Sequence, residues 1–230
     1  VPFNDVQAIK KATTGKTSAV LLEPIQGEGG VRVADCAYLQ GVRDLCRSRD
    51  VLLIFDEIQT GMGRTGTLFA YEQFGVAPDI MTLAKGLGGG VPIGACLATD
   101  PVAAVFQPGS HASTFGGNPL ACAAGSAVLR VLLEGRMLEH VTRMGAYLAK
   151  GLQEWLQRIP LVKDLRGLGL MQGVELTIDG QPVVLDCLAQ GVLINCTMGR
   201  VLRFLPPLII TTPDIDRLLE VVSRVLSRRV

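Results

Sequence analysis

The sequence predicts an α/β fold in which a mostly parallel sheet comes first and a smaller C-terminal α+β domain follows. Three apolar segments, at residues 17–23, 51–57 and 80–85, each end abruptly in polar residues, which is typical of buried parallel strands. A helical pattern lies between the first two segments, and a strand, helix, strand order implies parallel strands with a right-handed crossover. After residue 118 the pattern changes to helices and short strands.

The first elements lie near the amino end of the chain. The chain begins with Val1 rather than Met, and Asn4 and Asp5 precede Val6 and Ile9, as at the approach to a helix. We therefore expect that the true beginning of the protein is missing. The helix between the first two strands has five apolar residues at helical spacing: Tyr38, Leu39, Val42, Leu45 and Cys46.

Polar residues follow each of the three predicted strands. They are Glu23, Asp56, Glu57 and Lys85. Because ligands collect beyond the carboxyl ends of strands in open parallel sheets, these side chains are candidates for a binding site.

The domain boundary is predicted at Asn118. This residue is a candidate N-cap, and Pro119 suits the first turn of a helix of small residues that continues to about Leu133. We expect residues 1–118 to form the C-terminal part of a large domain, 119–135 an interdomain helix, and 136–230 a small C-terminal domain.

The small domain is predicted to begin and end with helices. The first has an apolar stripe from Leu138 to Trp155 and ends before Pro160, and the last is capped by Thr212, with Pro213 in its first turn. Between them the sequence predicts a hairpin turn at Asp179-Gly180 and four short strands, at residues 162–165, 170–176, 192–195 and 201–204.

The composition indicates a globular, cytoplasmic protein that acts on a small molecule. Its 22 basic and 21 acidic residues give a net charge of +1 without a basic cluster, so neither nucleic acid nor a membrane is an expected partner. The six scattered cysteines form no C-x-x-C pair, which is typical of free thiols in a reducing compartment. No signal peptide, membrane span or metal site is predicted.

Lys85 and Asp56 are the residues whose chemistry is most specific. Lys85 precedes a glycine-rich stretch that lets the backbone approach a ligand closely, although this motif alone more often marks a solvated loop lysine. Asp56 ends a buried apolar run, where a carboxylate is costly without a cation such as a protonated pyridine nitrogen. A ring with a protonated nitrogen can accept the electrons that a substrate carbon releases when it loses a proton. A lysine amine can hold an aldehyde of such a ring as a Schiff base and, once released, act as the base that moves this proton.

A P-loop ATPase is the main alternative, because four apolar residues before Asp56-Glu57 resemble a metal-holding strand. The chain also contains Gly15-Lys16-Thr17. However, a phosphate loop needs a glycine at the position of Lys10 and an apolar strand just before the motif, so the sequence disfavours this alternative.

Four motifs resemble those of class III, pyridoxal-phosphate-dependent aminotransferases of the acetylornithine and ornithine type. The resemblance covers essentially all 230 residues, with the motifs in the right order. They are Glu23-Pro24-Ile25-Gln26-Gly27-Glu28-Gly29-Gly30, Asp56-Glu57-Ile58-Gln59-Thr60-Gly61-Met62-Gly63-Arg64, Leu83-Ala84-Lys85-Gly86-Leu87-Gly88-Gly89-Gly90 and Ser113-Thr114-Phe115-Gly116-Gly117-Asn118-Pro119.

The resemblance implies a fold-type I transferase with helices on both faces of the large-domain sheet, and it implies roles for five residues. Lys85 would carry pyridoxal 5'-phosphate, Asp56 would pair with its pyridine nitrogen, and Gln59 would reach its phenolic oxygen. Thr114 would bind the phosphate from the neighbouring subunit of a homodimer, and Ser113 would lie beside the substrate. Alternatively, Gln59 caps a turn, and Ser113 and Thr114 form a capping cluster before the next helix.

The resemblance also implies a carboxylate-binding pair. Arg203 matches the arginine that binds substrate carboxylates, and its planar guanidinium suits two parallel hydrogen bonds. Glu28 matches the glutamate that pairs with this arginine and swings away for a dicarboxylate. A plain surface ion pair is the alternative.

The implied reaction moves the terminal amino group of N-acetylornithine to 2-oxoglutarate in arginine biosynthesis. Ornithine, succinylornithine, succinyldiaminopimelate and 4-aminobutyrate enzymes share most of the motifs, so the donor stays open. An aminomutase of the same fold is a further alternative. A non-catalytic, split relative is the alternative from another class. Family members carry an earlier segment with the rest of the phosphate site and a ring-stacking aromatic residue, so we expect that residues 1–230 alone do not turn over substrate.

Overall fold

The structure is a computed structural model that describes residues 1–229. These residues form two compact units. The first unit contains Val1–Pro24, Ala34–Met62 and Thr67–Gly135, and the second contains Ile25–Val33, Gly63–Gly66 and the rest of the chain from Arg136.

The helices are α1 (Val6–Ala12), α2 (Cys36–Ser48), α3 (Tyr71–Phe74), α4 (Asp100–Ala103), α5 (Pro119–Glu134), α6 (Met137–Arg158), α7 (Gln181–Ala189) and α8 (Thr212–Ser227), with a 3-10 helix at Lys85–Gly88. The strands are β1 (Ala19–Leu22), β2 (Ile25–Gln26), β3 (Arg32–Val33), β4 (Leu52–Asp56), β5 (Ile80–Leu83), β6 (Ala95–Ala98), β7 (Val162–Leu168), β8 (Met171–Leu176), β9 (Asn195–Thr197) and β10 (Val201–Phe204).

The first unit contains the predicted parallel sheet. Its strand order is β1-β4-β5-β6, in which β1, β4 and β5 pair in parallel and β6 pairs with β5 in the antiparallel sense. Helix α2 buries the predicted apolar residues, which pack in one cluster with Leu53 and Phe55 of β4. The predicted order of strand, helix and strand is therefore confirmed, while the antiparallel strand β6 was not predicted.

The second unit contains an antiparallel sheet with the order β7-β8-β10-β9. Helices α6 and α8 cover it with a continuous core in which Leu148, Leu152, Ile215 and Leu226 are fully buried. The apolar stripe predicted for α6 is confirmed, and the helix ends at Arg158, before Pro160. The short hairpin of β2 and β3 also belongs to this unit, although no strand was predicted there.

Three local predictions in the second unit are wrong. Asp179-Gly180 does not turn a hairpin but precedes α7, because Asp179 Oδ1 accepts a hydrogen bond from Gln181 N at 3.1 Å and Pro182 suits a first helical turn. The strand expected at residues 192–195 is Asn195–Thr197. The N-cap of α8 is Thr211 rather than Thr212, because Thr211 is the extended residue that forms a capping box with Asp214.

Among the described helices, none combines the length and the apolar character that crossing a membrane requires.

Candidate functional site

In the first unit, Asp56 and Lys85 lie at the carboxyl edge of the parallel sheet. Asp56 is the last residue of β4 and pairs in register with Thr82 of β5. Lys85 begins the 3-10 helix two residues after β5 ends. Because β4 and β5 are parallel, both residues follow their strands at the same edge, as the sequence predicted.

The Asp56 carboxylate is half-buried and partly engaged by its own loop. Its Oδ1 atom accepts a hydrogen bond from Ile58 N at 2.9 Å. This bond fixes the carboxylate direction at the strand end, where it can meet a cationic ligand. The chemistry of the group therefore suits a protonated ring nitrogen.

Lys85 combines an unusual backbone conformation with an exposed side chain. Its φ angle is 45°, in the left-handed region that non-glycine residues avoid at a cost of about 1–3 kcal/mol. The amine makes no salt bridge with any residue in 1–229. A strained lysine with an accessible amine is consistent with a group that reacts with a ligand rather than one that supports the fold.

Glu57, which follows Asp56, is a buried residue to which the sequence assigned no role. Its carboxylate is 1% exposed and accepts three hydrogen bonds: from Thr60 Oγ1 at 2.6 Å, from Ala70 N at 2.9 Å and from Tyr71 N at 2.7 Å. Burial raises the pKa of Glu57, while these hydrogen bonds oppose that rise. Glu57 thus joins residues 60 and 70–71 to the end of β4.

The other predicted residues of the first unit lie in turns. Gln59 is half-buried in the turn after β4. Ser113 and Thr114 are exposed in the loop before α5, and Ser113 Oγ accepts a hydrogen bond from Gly116 N at 2.9 Å. Asn118 caps α5 through Ala121 N at 2.9 Å, as predicted. The structure does not test the phosphate role of Thr114, which stays a prediction.

In the second unit, Arg203 and Glu28 form an ion pair. Arg203 lies on β10 and its side chain is 8% exposed, whereas the Glu28 side chain, in the turn between β2 and β3, is 73% exposed. Arg203 Nη1 donates to Glu28 Oε1 at 2.6 Å, and Nε donates to Asn195 Oδ1 at 3.0 Å. The predicted pairing is confirmed as a contact, and the role of the pair in catalysis stays a prediction.

Arg203 and Asn195 line an open groove of the second unit with a volume of about 970 Å³. The other residues that line this groove are mostly apolar, including Leu193, Phe204 and Ile209. A guanidinium beside such a groove can recognise the carboxylate of a small ligand.

Two other kinds of site find no support. Among residues 1–229 there is no group of His, Cys, Asp and Glu side chains that could hold a metal ion. Gly15, Lys16 and Thr17 lead from α1 into β1, whereas a phosphate loop leads from a strand into a helix.

Comparison with known proteins identifies similar sequences along nearly the whole chain. The profile of the family described as Aminotransferase class-III matches residues 2–226. The acetylornithine aminotransferase of Methanocaldococcus jannaschii is 50% identical over 227 residues, which are 99% of this chain and 57% of that protein. The acetylornithine aminotransferase of Caldanaerobacter subterraneus is 52% identical over 99% of this chain and 58% of its own length.

A similar solved structure is the ornithine aminotransferase of Toxoplasma gondii, in which PLP partly occupies the active site. It superposes with a TM-score of 0.93 and 41% identity, and the match covers 99% of this chain and 55% of that one. The fold is therefore that of class III aminotransferases. The chain spans less than three fifths of the length of these relatives.

Proposed function

Because this chain belongs to the class III aminotransferase family, we propose that it acts in a pyridoxal-phosphate-dependent aminotransferase. The amino group would move from the side-chain end of N-acetylornithine, or of a close relative, to 2-oxoglutarate, giving a semialdehyde and glutamate, in cytoplasmic arginine biosynthesis. The fold would be of fold-type I, with helices on both faces of the parallel sheet. One observation carries the proposal: Asp56 and Lys85 follow neighbouring parallel strands at one edge of a sheet.

The residues of the first unit fit pyridoxal phosphate. Asp56 is half-buried and held by Ile58 N, which suits a carboxylate that keeps a ring nitrogen protonated. Gln59 would donate to the phenolic oxygen, and Thr114 of the neighbouring subunit in a homodimer would bind the phosphate. When bound, the cofactor supplies an electron sink for the carbon that loses its proton.

Lys85 has two tasks in this proposal. Its exposed amine would hold the cofactor covalently until a substrate amine takes its place. The released Lys85 amine would then be the base that accepts the proton of the substrate carbon bearing the amino group, and the acid that gives a proton back. The left-handed backbone of Lys85 is consistent with a side chain aimed at a ligand.

Arg203 orients the acids of the two half-reactions. Its guanidinium would bind a carboxylate of 2-oxoglutarate through two parallel hydrogen bonds, and Ser113 would lie beside the substrate. Glu28 holds Arg203 when no carboxylate is there, and its exposed side chain can give way to a dicarboxylate. One arginine can therefore serve a donor and an acceptor that differ in charge.

The choice of N-acetylornithine is supported by relatives named acetylornithine aminotransferases at about 50% identity. Ornithine and 4-aminobutyrate are the donors to compare with it, through relative rates in one assay. The presence of Lys85, Asp56 and Arg203 together favours catalysis over a non-catalytic binding role.

The test is the colour of the holoenzyme, which is the complete protein assembled with its cofactor. We expect a yellow absorbance band that N-acetylornithine bleaches and 2-oxoglutarate restores. Lys85→Ala should lose the borohydride-stable attachment of the cofactor and about 10³-fold or more in turnover. Lys16→Ala, which changes an exposed lysine in another turn, is the control. Attachment to Lys85→Ala protein would refute the proposal, and a band that no donor bleaches would instead indicate a binding protein.

A further inference from the structure

The turn that carries Glu28, residues 27–31, has little support of its own. It joins two strands of two residues each, and Gly30 N and Val31 N both donate to Gly27 O at a long 3.4 Å. Gly30 and Val31 have φ angles of 99° and 54°. A short two-stranded hairpin is marginal in water, so contacts from the rest of the second unit must hold this turn.

Thr197 holds the backbone on one side of the turn. It lies on β9, is 8% exposed, and its hydroxyl donates a short hydrogen bond to the carbonyl oxygen of Glu28. This bond fixes the peptide of the residue whose side chain pairs with Arg203.

Arg166 holds the backbone on the other side. It lies on β7, and its Nε donates to Gly30 O at 2.8 Å. Its Nη1 is itself held by Asp164 at 2.6 Å and Glu175 at 2.8 Å. Hydrogen bonds from Lys163 and Arg166 lower the pKa of Glu175, so this carboxylate stays charged and keeps the guanidinium in place.

Apolar contacts with β8 also hold the turn of residues 27–31. Val31 lies against β8 so closely that a Cβ at Gly173 would be 2.9 Å from the Val31 Cβ. Ile25, Val31 and Met171 are fully buried together. The backbone of residues 27–31 is therefore held by apolar contact and by three side-chain donors, because Arg32 Nε of β3 also donates to Gly29 O at 3.2 Å.

We propose that Arg166 and Thr197 are positioning residues that fix this turn, so that Arg203 exchanges Glu28 for a ligand carboxylate by rotation of the Glu28 side chain alone. The inference rests on the proposed function of the Arg203 and Glu28 pair. It follows from the contrast between the held backbone and the Glu28 side chain, which is 73% exposed. Exposed side chains rotate far faster than loops rearrange, so such an exchange would not limit turnover.

The experiment compares matched variants of the holoenzyme. Thr197→Val removes the hydroxyl donor with little change of shape, Thr197→Ser keeps it, and Arg166→Lys keeps the charge without the Nε donor. Thr177→Val is the control, since Thr177 makes a weak 3.4 Å bond to Leu161 O elsewhere in the second unit.

The first measurement is amide hydrogen exchange of residues 28–31, with and without saturating glutarate, a dicarboxylate that cannot react. In the wild type we expect glutarate to leave the exchange rates of these amides unchanged. Thr197→Val and Arg166→Lys should speed the exchange by about 3- to 10-fold, the worth of one hydrogen bond, whereas Thr197→Ser and Thr177→Val should not. Exchange that glutarate accelerates in the wild type would mean that the turn moves, and would overturn the proposal.

The second measurement is the ratio of kcat/KM for the half-reactions with N-acetylornithine and 2-oxoglutarate. We expect Thr197→Val and Arg166→Lys to shift this ratio by about 3- to 10-fold towards the ratio of the Glu28→Gln variant. Thr197→Ser, which keeps the hydroxyl donor, should keep the wild-type ratio. Faster amide exchange with an unchanged ratio would leave both residues a structural role only and refute the proposal. A wild type that does not transaminate, but whose turn stays protected with glutarate, would refute the proposed function and uphold the fixed turn.

Discussion

Glu57 in the first unit and Arg203 in the second are both buried charged side chains, but their partners differ. Glu57 is held by the hydroxyl of Thr60 and by two backbone amides at the start of α3, Ala70 N and Tyr71 N, all within 14 residues of it in the sequence. Arg203 is held by Asn195 and by Glu28, whose side chain is mostly exposed and whose position lies 175 residues away in the sequence.

The difference indicates which charge a ligand can use. Releasing Glu57 would leave three donors without an acceptor, so its contacts are tied to folding. Releasing Arg203 from Glu28 returns an already solvated carboxylate to water but leaves the buried guanidinium without an anion, so a ligand carboxylate is favoured in its place. A buried charge with an exposed partner is therefore suited to binding, whereas a buried charge held by backbone amides and a hydroxyl of the fold is suited to support.

The largest expected effect is loss of the Glu57 carboxylate. Glu57→Ala should lower the free energy of unfolding by about 3–5 kcal/mol, since it leaves buried donors at Thr60, Ala70 and Tyr71 unsatisfied. Urea unfolding measures this change. Glu72→Ala, at an exposed position of α3, should change the free energy of unfolding little. An equally small change for Glu57→Ala would show that the hydrogen bonds of Glu57 do not support the fold.

A smaller effect, on binding rather than folding, is expected at Arg203. Arg203→Lys keeps the positive charge but loses the planar pair of donors, so KM for 2-oxoglutarate should rise about 10- to 100-fold. Because lysine keeps a positive charge beside Glu28, the free energy of unfolding should fall by less than it does for Glu57→Ala. Steady-state kinetics measures the change in KM, and urea unfolding measures the change in stability. Arg200→Lys, at an exposed position, is the control. A large loss of stability with unchanged KM would assign Arg203 a structural role.

The elements that depend on local patterns could be predicted from the sequence. Apolar residues at helical spacing predicted α2 and α6, and apolar runs that end abruptly in polar residues predicted β1, β4 and β5. The hairpin of β2 and β3 could not be predicted in this way, because its strands have two residues each and are held by contacts such as Arg166 to Gly30, 136 residues apart.

In the candidate site too, the residues at strand ends could be predicted from local patterns, whereas contacts between residues distant in the sequence could not. Asp56 and Lys85 could be predicted because a strand end is visible in the sequence. The partner of Arg203 came only from resemblance to a family, since no spacing relates residue 28 to residue 203. The role of Glu57 was missed, although Thr60 three residues later, with the apolar run before it, was a local sign of a buried and hydrogen-bonded carboxylate.

The smallest expected effect is the pH dependence of the contribution that Glu57 makes to the free energy of unfolding. Burial raises the pKa of Glu57 in the folded protein above its ordinary value of 4.5, so the folded state binds this proton more readily than the unfolded state does. The contribution of Glu57 to stability is then fully present below pH 4.5 and declines as the pH rises through the raised pKa. The stability difference between wild type and Glu57→Gln, which does not titrate, should therefore narrow from pH 4.5 towards neutrality in urea unfolding. A difference that widens with pH would mean that the three hydrogen bonds outweigh burial, and Glu57 would then be a carboxylate stabilised in its charged form.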